Sequence, residues 1–281
     1  EAGKLPTPAC PTEESRIMSL YQRIAALSTE AVETLYALGA EEYIVGISGY
    51  TVRPARARQE KTKISAFSSA QLERILAVQP DLVIGFSDMQ ADICRDLVKS
   101  GIETHVFNQR SVAGILRMIA VLAAMVERQE RGQTLIAELQ ASIAQTQARA
   151  STWQRKPVVY FEEWNEPLMS GIGWIAELLE LAGARDAFPE LSVFPNAKQR
   201  VIADPLEVVR RAPDIIIASW CGKKFQADHI LRRPEWDSIP AVKNQMVFEI
   251  KSPDILSPGP AAITHGLSQI SEIVAKWQNL H

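Results

Sequence analysis

The sequence has no excess of basic residues and no long apolar run. Its 30 Lys and Arg stand against 33 Asp and Glu, a net charge of -3, which excludes the basic surface that nucleic-acid binding requires. The longest apolar stretch, 118–126, ends at Glu127 and Arg128, well short of the roughly 18 apolar residues that span a membrane. The sequence therefore predicts a protein that neither binds nucleic acid nor crosses a membrane.

Cysteine and histidine are also scarce. Cys10, Cys94 and Cys221 allow at most one intrachain disulfide and show no CxxC or zinc-site spacing. A receptor for free zinc or manganese would need several converging His, Asp and Glu side chains, whereas the histidines are scattered along the chain, at His105, His229, His265 and His281. The sequence predicts no metal site and no resident cofactor.

Apolar sequence is abundant, but in short runs. The chain has 281 residues, 47% of them hydrophobic and 22% charged, which is typical of one large or two smaller globular domains. Apolar runs that predict strands alternate with segments that predict helices, and the predicted strands cover 23–27, 43–47, 82–86 and 104–107. This alternation is typical of a parallel sheet covered by helices on both faces.

A long segment without proline divides the chain. Residues 111–151 predict two helices, 112–126 and 130–150, the second a rigid strut about 30 Å long. After it the earlier pattern returns, because Pro80-Asp81 before an apolar strand is echoed by Pro213-Asp214. We therefore predict an α/β fold of two Rossmann-like lobes with parallel-rich sheets, bridged by a single long α-helix. The predicted organisation is an N-terminal tail at 1–22, a first lobe at 23–127, the bridging helix at 128–155 and a second lobe at 156–281.

Aromatic residues mark the loops next to the predicted strands. Because ligands of such sheets bind beyond the carboxyl ends of the strands, these rings predict a rigid apolar cleft for a large flat ligand. The predicted ligand-binding rings are Tyr50, Phe67, Phe86, Trp164, Phe194 and Trp220. Polar ligand contacts are predicted at Asp88 and Glu163. Of the adjacent pair Glu162 and Glu163, one is expected to bind the ligand or cap the following segment and the other to be solvated.

Several short motifs follow one another in a fixed order. They are Arg23-Ile-Ala-Ala-Leu-Ser28, Leu35-Tyr-Ala-Leu-Gly39, Pro80-Asp-Leu-Val-Ile84, Ile175-Ala-Glu-Leu-Leu-Glu-Leu-Ala-Gly183 and Pro213-Asp-Ile-Ile-Ile217. Together with the single long helix, this order resembles the substrate-binding proteins of ABC importers in the cobalamin and ferric-siderophore group. The resemblance runs from Arg23 to Trp277 and implies the class III periplasmic binding protein fold.

The resemblance implies a monomeric periplasmic or lipid-anchored receptor that delivers a small molecule to a permease dimer and catalyses no reaction. In this family an exposed glutamate on each lobe meets basic residues of the permease. Glu73 matches the position on the first lobe and Glu207 that on the second, with Asp204 as an alternative because the register is off by one residue. The targeting peptide is expected to be already absent, and Cys10 is a candidate lipidation remnant.

The resemblance also favours a corrinoid ligand, since the cobalamin-binding branch is similar in having rings at the positions of Phe67, Phe86 and Phe194. The loop 251–259 lacks an arginine that members of that branch carry, but Asp254 there could accept a hydrogen bond from an amide. Heme is an alternative, through axial ligation by Tyr50 or His229. A ferric siderophore, which is anionic, is another, through Tyr50, Arg53, Arg56, Lys223 and Lys224.

A thiol-dependent enzyme is the alternative from a different class. Cys221 follows a predicted strand, with Asp228 and His229 close by in sequence, so a thiol nucleophile with an imidazole base can be drawn. The spacing matches no known signature, and a cysteine behind a strand is more often a small buried filler. The receptor hypothesis is therefore preferred.

Overall fold

A computed structural model describes residues 20–65 and 71–280 and arranges them around two β-sheets. The strands are β1 (Ile24–Ala26), β2 (Ile44–Ser48), β3 (Lys63–Ser65), β4 (Leu82–Phe86), β5 (Glu103–Phe107), β6 (Val158–Asn165), β7 (Leu168–Ser170), β8 (Arg185–Asp186), β9 (Ile215–Ala218) and β10 (Val247–Glu249). The helices are α1 (Thr29–Ala37), α2 (Ala57–Glu60), α3 (Leu72–Ala77), α4 (Ala91–Lys99), α5 (Val112–Met125), α6 (Gln129–Ala150), α7 (Gly173–Leu181), α8 (Pro189–Ser192), α9 (Leu206–Arg211), α10 (Asp228–Leu231), α11 (Pro240–Lys243), α12 (Ser252–Ile255) and α13 (Ser268–Gln278). Within the described ranges, no helix is both long and apolar enough to cross a membrane. Cys10, Phe67 and His281 lie outside the described residues.

The first sheet is parallel throughout, in the order β3-β2-β1-β4-β5. In the central strand, Ile24 and Ala26 join one buried apolar cluster and Ala25 joins another, so both faces of the sheet are covered. A strand buried on both faces has an uninterrupted apolar sequence, and this explains why the strands were visible in the sequence. The strands predicted in the first lobe at 23–27, 43–47, 82–86 and 104–107 are confirmed to within one residue.

The second sheet has the order β10-β9-β6-β7, with β8 also beside β6. Only β7 pairs in the antiparallel sense among these strands. The residues of β9, 215–218, are completely buried, and β6 pairs with β9 up to Glu162 opposite Ala218. The carboxyl ends of β6 and β9 therefore lie side by side. The predicted fold class, two α/β lobes with parallel-rich sheets and one long bridging helix, is confirmed.

The bridging helix α6 touches both lobes. Its 22 residues extend about 33 Å at 1.5 Å per residue. Near its start, Arg131 Nε donates to the carbonyl oxygen of Ala37 in α1 at 3.0 Å, and near its end Arg149 pairs with Glu272 in α13. It crosses α5 so closely that a Cβ on Gly132 would lie 2.4 Å from the Cβ of Ala123. The helix expected at 130–150 is present, while the domain limits at 22, 127 and 155 stay predictions.

The segment 253–261 reaches from the second lobe onto the first. Its contacts there are Arg53 Nη1 to the Pro253 carbonyl oxygen at 2.9 Å, Arg53 to the Asp254 carboxylate, Thr29 Oγ1 to Ser257 Oγ at 2.9 Å, and Gln109 Nε2 to the Pro258 carbonyl oxygen at 2.8 Å. The partners in the first lobe come from three separate parts of the chain. These bonds join the two lobes at a second place besides α6.

Two carboxyl groups of α1 lie beside this contact. Glu30 is buried, and Gly259 approaches it so closely that a Cβ there would be 2.5 Å from the Cβ of Glu30. Glu33 Oε2 accepts a hydrogen bond from Ala261 N at 3.4 Å. Burial raises the pKa of Glu30 and of Glu33 from 4.5 to about 7. The contact between the lobes therefore contains two carboxyl groups that titrate near neutral pH.

These groups predict a pH-dependent stability. The folded protein keeps both protons in a range where the unfolded chain has released them, so the free energy of unfolding should fall as the pH rises from 4.5 to about 7. Glu30→Gln imitates the protonated form and should raise the free energy of unfolding above pH 7 by about 3–4 kcal/mol, at about 1.4 kcal/mol per pKa unit. Urea denaturation across this pH range measures the effect.

Glu130→Gln, on the exposed surface of α6, is the matched control and should keep the pH dependence of the wild type. A stability curve of Glu30→Gln that runs parallel to the wild-type curve over the whole range would contradict the assignment.

Candidate ligand-binding cleft

The cleft lies where the carboxyl ends of the two sheets face each other. On the first lobe, Arg110 follows β5, and burial lowers the pKa of its guanidinium. Arg200 and Glu163 of the second lobe also act on that pKa, so the three charged groups lie near one another across the cleft. Sheets of this kind bind their ligands beyond the carboxyl ends of the strands.

The wall of the first lobe consists of a ring, a cation and an exposed carboxylate. The Phe86 ring ends β4 and is buried beneath Arg110, whose Cζ lies 5.0 Å from the ring centroid. Asp88 Oδ1 is 3.6 Å from Arg110 Nη2. Tyr50, after β2, is 60% exposed. Phe86, Asp88 and Tyr50 thus follow the carboxyl ends of their strands, as the sequence predicts, while their contact with a ligand stays a prediction.

The wall of the second lobe is built on two consecutive glutamates in β6. Glu162 has no exposed surface and accepts hydrogen bonds from Arg233 Nη1 at 2.6 Å and Nη2 at 2.9 Å, and from Trp220 Nε1 at 3.0 Å. Glu163 accepts from Arg200 Nη1 at 2.5 Å and Nη2 at 3.0 Å. Both ion pairs are bidentate, the geometry in which a guanidinium binds a carboxylate most strongly.

The expectation that one of these glutamates is solvated is wrong. A buried carboxylate is costly unless a cation and hydrogen bonds accompany it, and each glutamate has its own arginine here. Arg200, only 2% exposed, also donates to the carbonyl oxygen of Ser170 at 2.6 Å. Glu163 as a ligand contact stays a prediction, but its carboxylate is already bonded within the protein.

The aromatic side chains of the second lobe differ in their exposure. Trp164 is half-buried in β6, whereas Trp220 is buried after β9, with its ring 5.1 Å from that of Phe225. Lys223 Nζ lies 5.6 Å from the ring centroids of both tryptophans. Phe194, after α8, is 36% exposed. Trp164 and Phe194 therefore present ring surface to solvent, and Trp220 supports the wall from within.

Asp254 belongs to the contact between the lobes. Its carboxylate pairs with Arg53 and accepts a hydrogen bond from Gln269 Nε2 at 3.0 Å. Each of its oxygens therefore has a partner within the protein. Asp254 as the acceptor of an amide hydrogen bond from the ligand stays a prediction, and such a bond would have to compete with these partners.

Three arginines of the cleft, Arg110, Arg200 and Arg233, were missed by sequence reasoning. For Arg200 and Arg233 the sequence did contain a signal, because consecutive glutamates at the end of a buried strand require cations nearby. The identity of those cations was not available, since Arg200 and Arg233 come from distant turns of the second lobe. For Arg110 the sequence gives only its place directly after a strand.

The alternative of a thiol enzyme gains no support from the environment of Cys221. Desolvation raises the pKa of the Cys221 thiol, and the charge of Glu163 raises it further, which opposes formation of the nucleophilic thiolate. The His229 ring lies against Trp220, with 5.9 Å between centroids. Across residues 20–65 and 71–280, no group of three or more His, Cys, Asp or Glu side chains is arranged to hold a metal ion.

The acidic residues expected to dock on a permease lie on two short helices. Glu73 is exposed on α3. Glu207, on α9, accepts from Arg210 Nε at 2.8 Å and Arg211 Nε at 3.0 Å, and Asp204 accepts from the same Arg210 at 2.7 Å. The first-lobe carboxylate has no ion pair within the described part of the chain, while both candidates of the second lobe belong to one network of ion pairs.

The chain belongs to the periplasmic binding protein family, whose model matches residues 24–253. It is a periplasmic substrate-binding protein of the ABC-transporter type. Receptors of this family are transport proteins rather than enzymes, and work with a membrane permease and a small-molecule ligand.

Similar proteins include ones whose names give different ligands. The chain is 26% identical over 265 residues to a vitamin B12-binding protein of Vibrio campbellii, covering 92% of this chain and 90% of the relative. A periplasmic heme-binding protein from Roseiflexus, solved in apo form, has a TM-score of 0.78 at 20% identity over 92% of this chain and 98% of its own. A periplasmic vitamin B12-binding protein of Vibrio cholerae has a TM-score of 0.76 at 19% identity, with the same coverage of both chains. At such identities the solved structures establish the fold alone.

Proposed function

We propose that the cleft binds a corrinoid of the cobalamin type and that the protein delivers it to the permease of an ABC importer. One observation carries the proposal: the second-lobe wall neutralises its two glutamates internally while leaving ring surface exposed. Glu162 and Glu163 are each held by an arginine, whereas Trp164 and Phe194 keep accessible ring surface. Such a wall suits a large macrocycle bordered by uncharged amides.

A ferric siderophore fits this wall less well. An anionic chelate is bound by cations that converge on it, but of the four candidate cations two are paired with carboxylates, a third is bonded to an amide oxygen, and only the exposed Lys224 has no ion pair or hydrogen bond within the described residues. Arg53 pairs with Asp254 and Arg56 with Glu41, while Lys223 donates to Asn165 Oδ1 at 3.0 Å. Heme would require Tyr50 or His229 as an axial ligand, and both are exposed. Hemin is therefore the comparison ligand in the tests below.

The relatives support the same choice. Vitamin B12-binding proteins of Vibrio species are similar to this chain over most of their length. Because the identities are 26% and 24%, the ligand of a relative does not transfer by itself. The similarity is a second line of support for the corrinoid hypothesis, which rests first on the charges and aromatic rings of the cleft.

Calorimetric titration with cyanocobalamin tests the proposal. We expect binding at nanomolar to low micromolar Kd. Trp164→Ala and Phe194→Ala should each weaken binding about tenfold, because burying an aromatic side chain contributes roughly 1.5–3 kcal/mol. Tyr43→Ala is the control, since Tyr43 precedes the amino end of β2 at the opposite edge of the sheet.

Absence of heat with cyanocobalamin, together with binding of hemin, would contradict the corrinoid proposal while leaving the receptor class intact. Equal losses in Tyr43→Ala and in the two cleft variants would show that the effects come from stability and not from ligand contact.

We further propose that Glu73 and Glu207 dock the loaded receptor on the permease. Exposed charges at the edge of an interface act mainly on association and orientation. Glu73 has no ion pair within the described residues and can pair with a permease residue directly. Glu207 must first break its ion pairs with Arg210 and Arg211. The two lobes should therefore contribute unequally to docking.

Glu73→Ala should lower stimulation of the permease ATPase severalfold, and Glu207→Ala should lower it less, with ligand affinity unchanged in both. The double variant should lose most of the stimulation. The measurement is ATPase activity of the reconstituted permease at rising receptor concentration, with the exposed Glu138→Ala of α6 as control. Full stimulation by the double variant would reject the docking assignment.

A further inference from the structure

Arg110 differs from the other arginines that are largely withdrawn from solvent. Each of those contacts a carboxylate through a short ion pair; the pairs are Arg53 with Asp254, Arg200 with Glu163, Arg211 with Glu190, and Arg233 with Glu162. Arg110 contacts Asp88 at 3.6 Å, and the Asp88 side chain is 76% exposed. Water therefore screens the one carboxylate that Arg110 touches.

The hydrogen bonding of Arg110 is incomplete as well. Its Nη1 donates to the carbonyl oxygen of Gln109 at 3.5 Å, the limit for such a bond. Its Nε is buried and has no partner among the described residues, and the same is true of Arg200 Nε. A buried donor without an acceptor costs free energy, so the hydrogen-bonding capacity of the Arg110 guanidinium is not fully used within the described residues.

The surroundings of Arg110 have room for such an acceptor. Its side chain is 23% exposed, and Arg110 and Phe194 both line a groove of about 1080 Å³ beside α7 and α8. The Phe86 ring lies under the guanidinium and holds it by a cation–π contact, which does not use the N–H groups at its edge. The cation is thus held in place, only weakly neutralised and partly exposed.

We propose that Arg110 binds an oxyanion of the ligand, which in a corrinoid is the phosphodiester of the nucleotide tail. The identity of the oxyanion rests on the proposed function. A cleft with one incompletely neutralised arginine among its described residues suits a ligand that carries a single anionic group on a large body bordered by neutral amides. Arg110 would then distinguish complete corrinoids from those that lack the nucleotide tail.

Titrations with cyanocobalamin and with cobinamide, which lacks the phosphodiester, test this inference. Arg110→Met should weaken cyanocobalamin binding about tenfold or more, the factor that one hydrogen bond to a charged group contributes, and should change cobinamide binding less than about twofold. Arg110→Lys, which keeps the charge, should recover part of the loss. Arg117→Met, at an exposed position of α5, is the control and should bind both ligands like the wild type.

Equal weakening of both corrinoids by Arg110→Met, or no weakening of either, would overturn the role of Arg110 while leaving the corrinoid function intact. If the wild type binds hemin and neither corrinoid, the proposed function fails. A loss of hemin affinity in Arg110→Met would then support Arg110 as the site that binds an oxyanion, in hemin a carboxylate. Unchanged hemin affinity in Arg110→Met would overturn that role of Arg110. Binding of none of the three ligands would overturn both proposals. Thermal unfolding of each variant confirms that it is folded.

Discussion

The bonding between the lobes is the constraint on which the ligand site depends. The segment 253–261 is held by Arg53, Thr29 and Gln109 of the first lobe, and α6 touches both lobes along its length. A continuous helix bends less easily than a loop. The hydrogen bonds of the segment 253–261 form a second connection between the lobes, and this connection opposes rotation of the lobes about α6. We therefore expect the width of the cleft to change little when a ligand binds. Preorganisation of this kind reduces the ordering that binding has to pay for.

The buried ion pairs determine which ligands suit a cleft of fixed width. Glu162 and Glu163 would give β6 a strongly negative end, but Arg233 and Arg200 cancel both charges within the protein. Under the functions proposed above, selection by charge would depend on Arg110 and selection by shape on the rings of Trp164 and Phe194. The same proposal predicts rejection of multiply charged chelates, because a fully desolvated ion without a partner is costly.

The strands and the bridging helix were predictable because their signals are local. An apolar run such as Ile24–Ala26 or Ile215–Ala218 specifies a strand buried on both faces without reference to the rest of the chain. The polar side of the cleft was not predictable, because its pairs join residues far apart in sequence: Arg200 lies 37 residues from Glu163, and Arg233 lies 71 residues from Glu162. Sequence reasoning found the glutamates and the rings but could not tell that the carboxylates were already bonded.

A crystal structure of the protein with cyanocobalamin would test whether a corrinoid binds between lobes that stay at a fixed angle, because it shows the ligand, the charged groups and the angle between the lobes at once. We predict that the corrin ring lies between the lobes against Trp164 and Phe194, that the contact of Arg53 with Asp254 is intact, and that the lobes keep the angle they have without ligand. A corrin bound outside the cleft, or lobes rotated about α6 with that contact broken, would contradict it.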